Sequence, residues 1–235
     1  MISSRLQSLI LIASLVLLSG CATLHRANPA DPYEDMNRML YRVHTAADTV
    51  IRPVAQAYDN YVPLPIRQGV SNVFSNAGDL WIGINNLAQA KPVEAGSDVL
   101  RFTLNTTVGI LGLFDVATDL GFEKHNEDLG QTLAVWGVGE GGYVFVPVIG
   151  PRTVRDALGW VGDFSGDALN IAIRPTGTQN IVLGARVVDI RAQLLPTDAI
   201  LEEVTDDPYA YIRDAYLQRR AYLIHDGNPP SSPAE

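Results

Sequence analysis

The sequence predicts a mainly α-helical protein: one domain of amphipathic helices lying at a lipid interface, with a short β-hairpin at about residues 131–148. Three observations carry this. Apolar residues recur at helical spacing from Ile66 to Leu87, opposite a face that is polar but almost uncharged. A stretch from Phe102 to Phe114 carries no charge at all. Only 18% of the 235 residues are charged while 47% are hydrophobic, against about 25% charged in an ordinary soluble protein.

The N-terminus reads as a secretory signal. Arg5 precedes an apolar run from Leu9 to Leu18, and Leu18-Ser19-Gly20-Cys21 follows. The run is about ten residues, well short of the roughly 20 that a spanning helix needs. Cys21, the one cysteine of the chain, ends a tetrapeptide that resembles the bacterial lipobox. That resemblance implies cleavage after residue 20 and acylation of Cys21. Two or more acyl chains make such attachment stable where one is marginal. Ala22, rather than Asp, follows the cysteine, which by resemblance to lipoprotein sorting favours the outer membrane. With no second cysteine there is no internal disulfide.

Cleavage there removes Arg5 and no acid, leaving 16 Lys+Arg against 26 Asp+Glu, a formal charge of −10. Such a chain is repelled by phosphate backbones, which argues against nucleic acid as a partner. It is also a poor candidate for adhering to anionic lipid by charge alone.

Residues 21–30 form a short polar tether, residues 31–225 one domain, and residues 226–235 a Pro- and Ser-rich tail expected to be disordered. Within the domain, Asp31-Pro32 and Glu34 mark a helix start, and Arg52-Pro53 predicts its end near Ile51. The second helix follows Pro63 and Pro65 and places Ile66, Val70, Phe74, Ala77, Trp81, Ile84 and Leu87 on one side. Its other side holds Gln68, Ser71, Asn72, Ser75, Asn76, Asp79 and Asn86. Surface helices normally carry Lys and Glu there, so small uncharged polar groups suit close helix packing or a wet lumen. Phe102–Phe114 would reach about 20 Å as a helix, too short to span a 30 Å core but long enough to dip into one leaflet. A buried core helix fits the same run. Gly109 and Gly112 permit a bend or a tight contact within it. Thr132–Trp136 and Tyr143–Val146 read as two strands around the glycine-rich segment Gly137–Gly142. Helices are then expected at Arg152–Trp160, Asp163–Ile173, about Thr178–Leu195, and Pro208–Ile224.

Signals for chemistry are weak. Gly137, Gly139 and Gly142 fit G-x-G-x-x-G, but a strand follows where a dinucleotide site needs a helix N-terminus. His125, Glu127 and Asp128 have no second histidine at ligand spacing, so they read as a polar loop rather than a metal site. Neither Ser71, Ser75, Ser97 nor Ser165 sits in G-x-S-x-G. The sequence supports no enzyme class and no cofactor. Near the end, Arg213, Arg219 and Arg220 alternate with Tyr209, Tyr211, Tyr216 and Tyr222. They read as a helix packing Tyr inward with Arg in solvent, or as Tyr and Arg at a headgroup layer.

Over about residues 31–225 the chain resembles the MlaA/VacJ lipoproteins of outer-membrane lipid homeostasis. The resemblance rests on ordered motifs: Asp31-Pro32-Tyr33-Glu34 with Asn37-Arg38, Ile51-Arg52-Pro53-Val54-Ala55, Tyr61-Val62-Pro63 and Val70-Ser71-Asn72. It continues through Arg101–Gly109, Asp128–Leu133, Gly137-Val138-Gly139, Pro151–Asp156, Arg191–Leu195 and Asp207-Pro208-Tyr209. Met36 stands where the family pattern has an aromatic residue.

The resemblance implies a ring-like helical body embedded in the inner leaflet of the outer membrane, with a periplasm-facing lipid anchor and a polar channel through the ring. Its implied partners are phospholipids, a trimeric outer-membrane porin and a soluble periplasmic lipid carrier. On this view Ser71, Asn72, Ser75, Asn76, Asn86, Asn105, Thr106 and Thr107 are candidates for the lipid path. Phe102, Leu104, Ile110, Leu111, Leu113 and Phe114 are candidates for insertion in the leaflet. Removal of mislocalised phospholipid from the outer leaflet is the expected activity. An envelope scaffold that binds porins without moving lipid is the alternative, and a phospholipase would require an essential serine.

Overall fold

A computed structural model of the chain describes residues 28–173 and 176–230. Cys21, the signal segment and residues 231–235 lie outside the described residues. Within them the chain forms nine helices and one two-stranded antiparallel sheet. The mainly helical fold with a single hairpin is as the sequence predicts.

Helix α1 runs Glu34–Tyr61 with Glu34 and Asp35 in its first turn, where acids favour the positive end of the helix dipole. It does not stop near Ile51; Pro53 sits inside it. A proline in a helix interior costs about 3 kcal/mol because it removes a backbone bond and crowds the preceding turn. Contacts with the long helix α8 (Thr176–Val204) oppose that cost. Arg191 of α8 grips Asp48 with two bonds of 2.7 and 2.8 Å, and Ala55 is fully buried. Helix α8 likewise continues past the expected end at Leu195, with Pro196 inside it. Asp198, beyond that proline, meets Arg191 at 2.7 Å and Arg52 at 3.4 Å. In both helices tertiary ion pairs override the local stop signal.

Helices α2 (Leu64–Ala88) and α3 (Pro92–Thr107) form a helical hairpin. Gly83 lets them close: a Cβ there would lie 3.3 Å from the Ala95 carbonyl and from Asp98 Cβ. Helix α3 ends at Thr107, so the charge-free run is not one helix. A tight turn follows, in which Ile110, Leu111 and Gly112 all have positive φ. The short helix α4 (Val116–Asp119) comes next, capped by Asp115.

The predicted strand at Thr132–Trp136 is instead helix α5, Leu129–Val135. Asp128 caps it, accepting the Gln131 N–H at 2.8 Å. Asp128-x-x-Gln131 is a helix-start pattern that the apolar Leu133–Val135 run outweighed in the sequence reading. The hairpin joins β1 (Tyr143–Val146) to β2 (Gly150–Thr153), with Tyr143 opposite Thr153 and Val146 opposite Gly150. Its turn is Pro147–Ile149, not the glycine-rich segment. Thr153 then caps α6 (Val154–Gly166), followed by α7 (Ala168–Ala172). Helix α9 spans Pro208–Ile224 as expected.

The apolar core is small. Tyr143, Phe145 and Tyr209 form it, with Leu40, Tyr41, Ile212, Tyr216 and Leu217 packed around them. No helix among the described residues is long and apolar enough to cross a membrane.

Candidate functional site

Burial is inverted relative to a water-soluble domain. The largest fully buried side chain is Arg101, and Asp31, Asn37, Asp79, Asn85, Asn86 and Asp98 are each at most 2% exposed. Outside, Ile66, Leu87, Val93, Val108, Ile110, Leu111, Leu158 and Ile181 are each more than half exposed. Charged groups are almost never fully buried unless paired, and large contiguous apolar surfaces mark lipid or protein contacts. Here the interior is polar and the apolar surface faces outward.

The α2–α3 seam shows how the interior is held. Asn86 donates to Asp98 at 2.7 Å, and Asn76 donates to Thr106 Oγ1 at 3.0 Å. Asn105 donates to Asp115 at 2.9 Å and accepts the Ala117 N–H at 2.9 Å. Arg101 forks onto Asp115 with two 3.1 Å bonds and lies 3.6 Å from Asp79, which also pairs with Lys124. Burial pushes the Asp115 carboxyl up, yet bonds from Thr118, Asn105 and Arg101 outweigh it and hold the group at about 2. At Asp79 burial wins, and its carboxyl sits above the usual value despite Lys124 and Arg101.

Of the candidate path residues, Asn76, Asn86 and Asn105 are therefore buried and engaged within this seam. Thr106 accepts from Asn76. Thr107 is exposed and returns its hydroxyl to the Thr103 carbonyl. Ser75 is exposed, and its carbonyl receives Lys124 Nζ at 3.0 Å. Ser71 and Asn72 differ from these in lining an open cleft of about 290 Å³ between α1, α2 and α8. Tyr58, Arg67, Asp189 and Gln193 share its wall. Buried Asp189 accepts from Ser71 Oγ at 2.9 Å, Tyr58 OH at 3.2 Å and Gln193 Nε2 at 2.9 Å. Burial and the charge of Asp189 both push the Tyr58 hydroxyl up. Sequence reasoning missed Asp189, although Asp189 and Gln193 stand four apart, on one face of a helix.

The candidate insertion residues fall around the turn after α3. Ile110, Leu111, Leu113 and Phe114 are exposed by 61, 72, 40 and 55%, while Phe102 and Leu104 are half-buried on α3. The turn bonds its own backbone: the N–H of Leu111 reaches the Thr106 carbonyl at 2.9 Å, Gly112 reaches Asn105 at 2.8 Å, and Phe114 reaches Gly109 at 2.9 Å. Backbone polar groups satisfied in this way are what hydrocarbon demands. The turn is pinned to α2 by Asn72 Nδ2 on the Leu113 carbonyl at 3.2 Å, and by Gly112 lying against Asn76.

Two further groups of polar residues take definite partners. His125, Glu127 and Asp128 do not converge: His125 pairs with Asp98 at 2.8 Å, Glu127 with Lys91 at 3.2 Å, and Asp128 with Arg220 at 2.5 Å. The described residues contain no cluster of three potential metal ligands. On α9, Arg213 and Arg220 point inward rather than to solvent, and Tyr211 and Tyr222 face out. Buried acids draw the two arginines in: Arg220 reaches Asp156 at 2.8 Å and Arg213 reaches Asp31 at 3.6 Å.

The model of the MlaA lipoprotein family matches residues 29–223. The chain belongs to the MlaA lipoprotein family. It is 34% identical over 218 residues to proteins of Shigella flexneri and Escherichia coli named intermembrane phospholipid transport system lipoprotein MlaA. Those matches cover 90% of this chain and 86% of each relative. A namesake from Haemophilus influenzae is 30% identical, covering 92% of this chain and 89% of its own. A solved structure, described under the structural basis for maintenance of bacterial outer membrane lipid asymmetry, superposes with a TM-score of 0.72 at 33% identity. It covers 83% of this chain and 98% of that one. Residues that carry the resemblance sit in the interior: Asn37 holds the Tyr143 carbonyl at 3.0 Å, Arg101 grips Asp115, and Asp128 and Asp156 share the Arg220 guanidinium.

Proposed function

We propose that the protein is an outer-membrane lipoprotein that takes mislocalised phospholipid from the outer leaflet and passes it through a polar path toward a soluble periplasmic carrier, so maintaining lipid asymmetry. The inverted burial carries this reading. Apolar outer faces replace part of the inner leaflet, and the turn at Ile110–Phe114 dips into it. A ring-like body then offers a headgroup a wet route past hydrocarbon, where a charged group is expensive to place. The cleft lined by Ser71, Asn72 and Asp189 supports such a route. A trimeric porin fits the exposed apolar rim as a neighbour, and the names and setting of the relatives support the lipid transport role.

In this reading acylated Cys21 selects the membrane, while the embedded body supplies most of the lipid contact. Any energy input comes from partners. The test is charge introduction at the cleft: Gln68→Glu with Asn72→Glu is expected to raise phospholipid in the outer leaflet while the protein stays folded and membrane-bound. Unchanged asymmetry in that strain would refute the path. Wild-type asymmetry in a strain lacking the protein would instead favour a porin-binding scaffold.

A further inference from the structure

Five other buried aspartates each meet a basic side chain within 4 Å: Asp31 with Arg213, Asp79 with Lys124, Asp98 with His125, Asp156 with Arg220 and Asp167 with Arg186. Asp189, 3% exposed, does not: among the described residues it receives only the neutral donors Tyr58, Ser71 and Gln193. Three donors supply three protons to a carboxylate with about four acceptor sites, leaving one for a ligand. A buried charge without a counter-ion is costly, so the site favours an incoming cation. Asp189 also lines the cleft, where a cation can reach it. Arg67 stands in the same wall, its Nε on the Val62 carbonyl at 3.0 Å and its Nη1 on Asp59. The planar guanidinium keeps further N–H groups suited to a phosphate. The volume, about 290 Å³, lies at the lower bound of ligand pockets and fits a headgroup rather than a whole two-chain lipid.

We propose that this cleft is a recognition site for a zwitterionic headgroup, with Asp189 taking a primary ammonium and Arg67 the phosphate, so that phosphatidylethanolamine is bound in preference to anionic phospholipid. The proposal rests on the lipid path described above. Tyr58, Ser71 and Gln193 hold the carboxylate in place for the ligand.

The test uses the full lipidated chain in detergent and calorimetric titration with dihexanoyl phosphatidylethanolamine, dihexanoyl phosphatidylglycerol and N-acetylated dihexanoyl phosphatidylethanolamine. The wild type is expected to bind the free amine about tenfold tighter than the other two, a low value for one charge-assisted hydrogen bond. Asp189→Asn keeps the shape and is expected to lose that tenfold for the free amine alone. Should this variant fail to fold, the wild-type comparison of free with acetylated amine still isolates the charge. Equal affinity of the wild type for all three probes would overturn the ammonium site and leave the lipid path standing. Binding of none of them would overturn both. Glycerophosphoethanolamine, the same zwitterion without chains, should bind more weakly; equal affinity would assign the cleft to a free metabolite and overturn the lipid as occupant.

Discussion

Gly112 ties the apolar turn to the polar interior, and its replacement separates two physical effects. Its φ of +85° is a conformation that costs an L-residue about 1–2 kcal/mol. A Cβ there would also meet Asn76 Cβ and Nδ2 at 2.7 Å, and neither can withdraw freely: Asn76 is buried and holds Thr106. Overpacking of this kind costs about 1–3 kcal/mol, so Gly112→Ala should lose about 2–5 kcal/mol in all. Two further glycines serve as controls. Gly121 has φ +88° with nothing within 4 Å, so Gly121→Ala should lose only the backbone part, about 1–2 kcal/mol. Gly96 is inside α3 with open space around it, so Gly96→Ala should gain about 0.5–1 kcal/mol. Urea unfolding in detergent, followed by tryptophan fluorescence, gives all three values. Equal losses for Gly112→Ala and Gly121→Ala would refute the contact with Asn76. A loss under about 1 kcal/mol at Gly112 would refute the turn geometry itself.

Arg220→Met leaves Asp128 and Asp156 without their shared guanidinium, and should destabilise by about 3–5 kcal/mol in the same unfolding assay; adding Asp156→Asn should recover part of it. Asp115 ionises at about 2 in the fold against an ordinary 3.8 for an aspartate, so its contribution is present above pH 3.8 and lost as pH falls through 2. With the side chain one-third exposed that contribution is about 1–2 kcal/mol, and between pH 6 and 2 the wild type should lose that much more stability than Asp115→Asn. In a Cys21→Ala background, replacing Leu111 and Phe114 with Ser removes apolar surface worth about 2–4 kcal/mol. Partition into phosphatidylethanolamine–phosphatidylglycerol vesicles should fall by about 30-fold or more, and unchanged flotation would argue against insertion of the turn.

The helical periodicity of Ile66–Leu87 and the uncharged Ser/Asn face opposite it were enough to place a helix with an unusual environment on each side. The sequence could not show which of those polar groups face a neighbour and which face a cleft. Asn76 and Asn86 turned out to be spoken for by Thr106 and Asp98, contacts 30 and 12 residues away. Ser71 alone of the candidates reaches Asp189, across 118 residues. The strand expected at residues 132–136 shows the same limit: an apolar run of four residues, Leu133–Trp136, fits strand and helix equally, and the bonds of Asp128 to Gln131 and of Thr132 to Asn85 decide it.

By itself the sequence determined the helical class, the family and the lipid setting, because periodicity, composition and a long ordered set of motifs are all local properties of the chain. The tertiary structure decided where the helices end and which charges are paired. Prolines 53 and 196 were absorbed because ion pairs between α1 and α8 offset their cost. Asp189 was set apart from the five other buried aspartates by the absence of a cation within 4 Å among the described residues, a fact of three-dimensional neighbourhood that no spacing along the chain encodes.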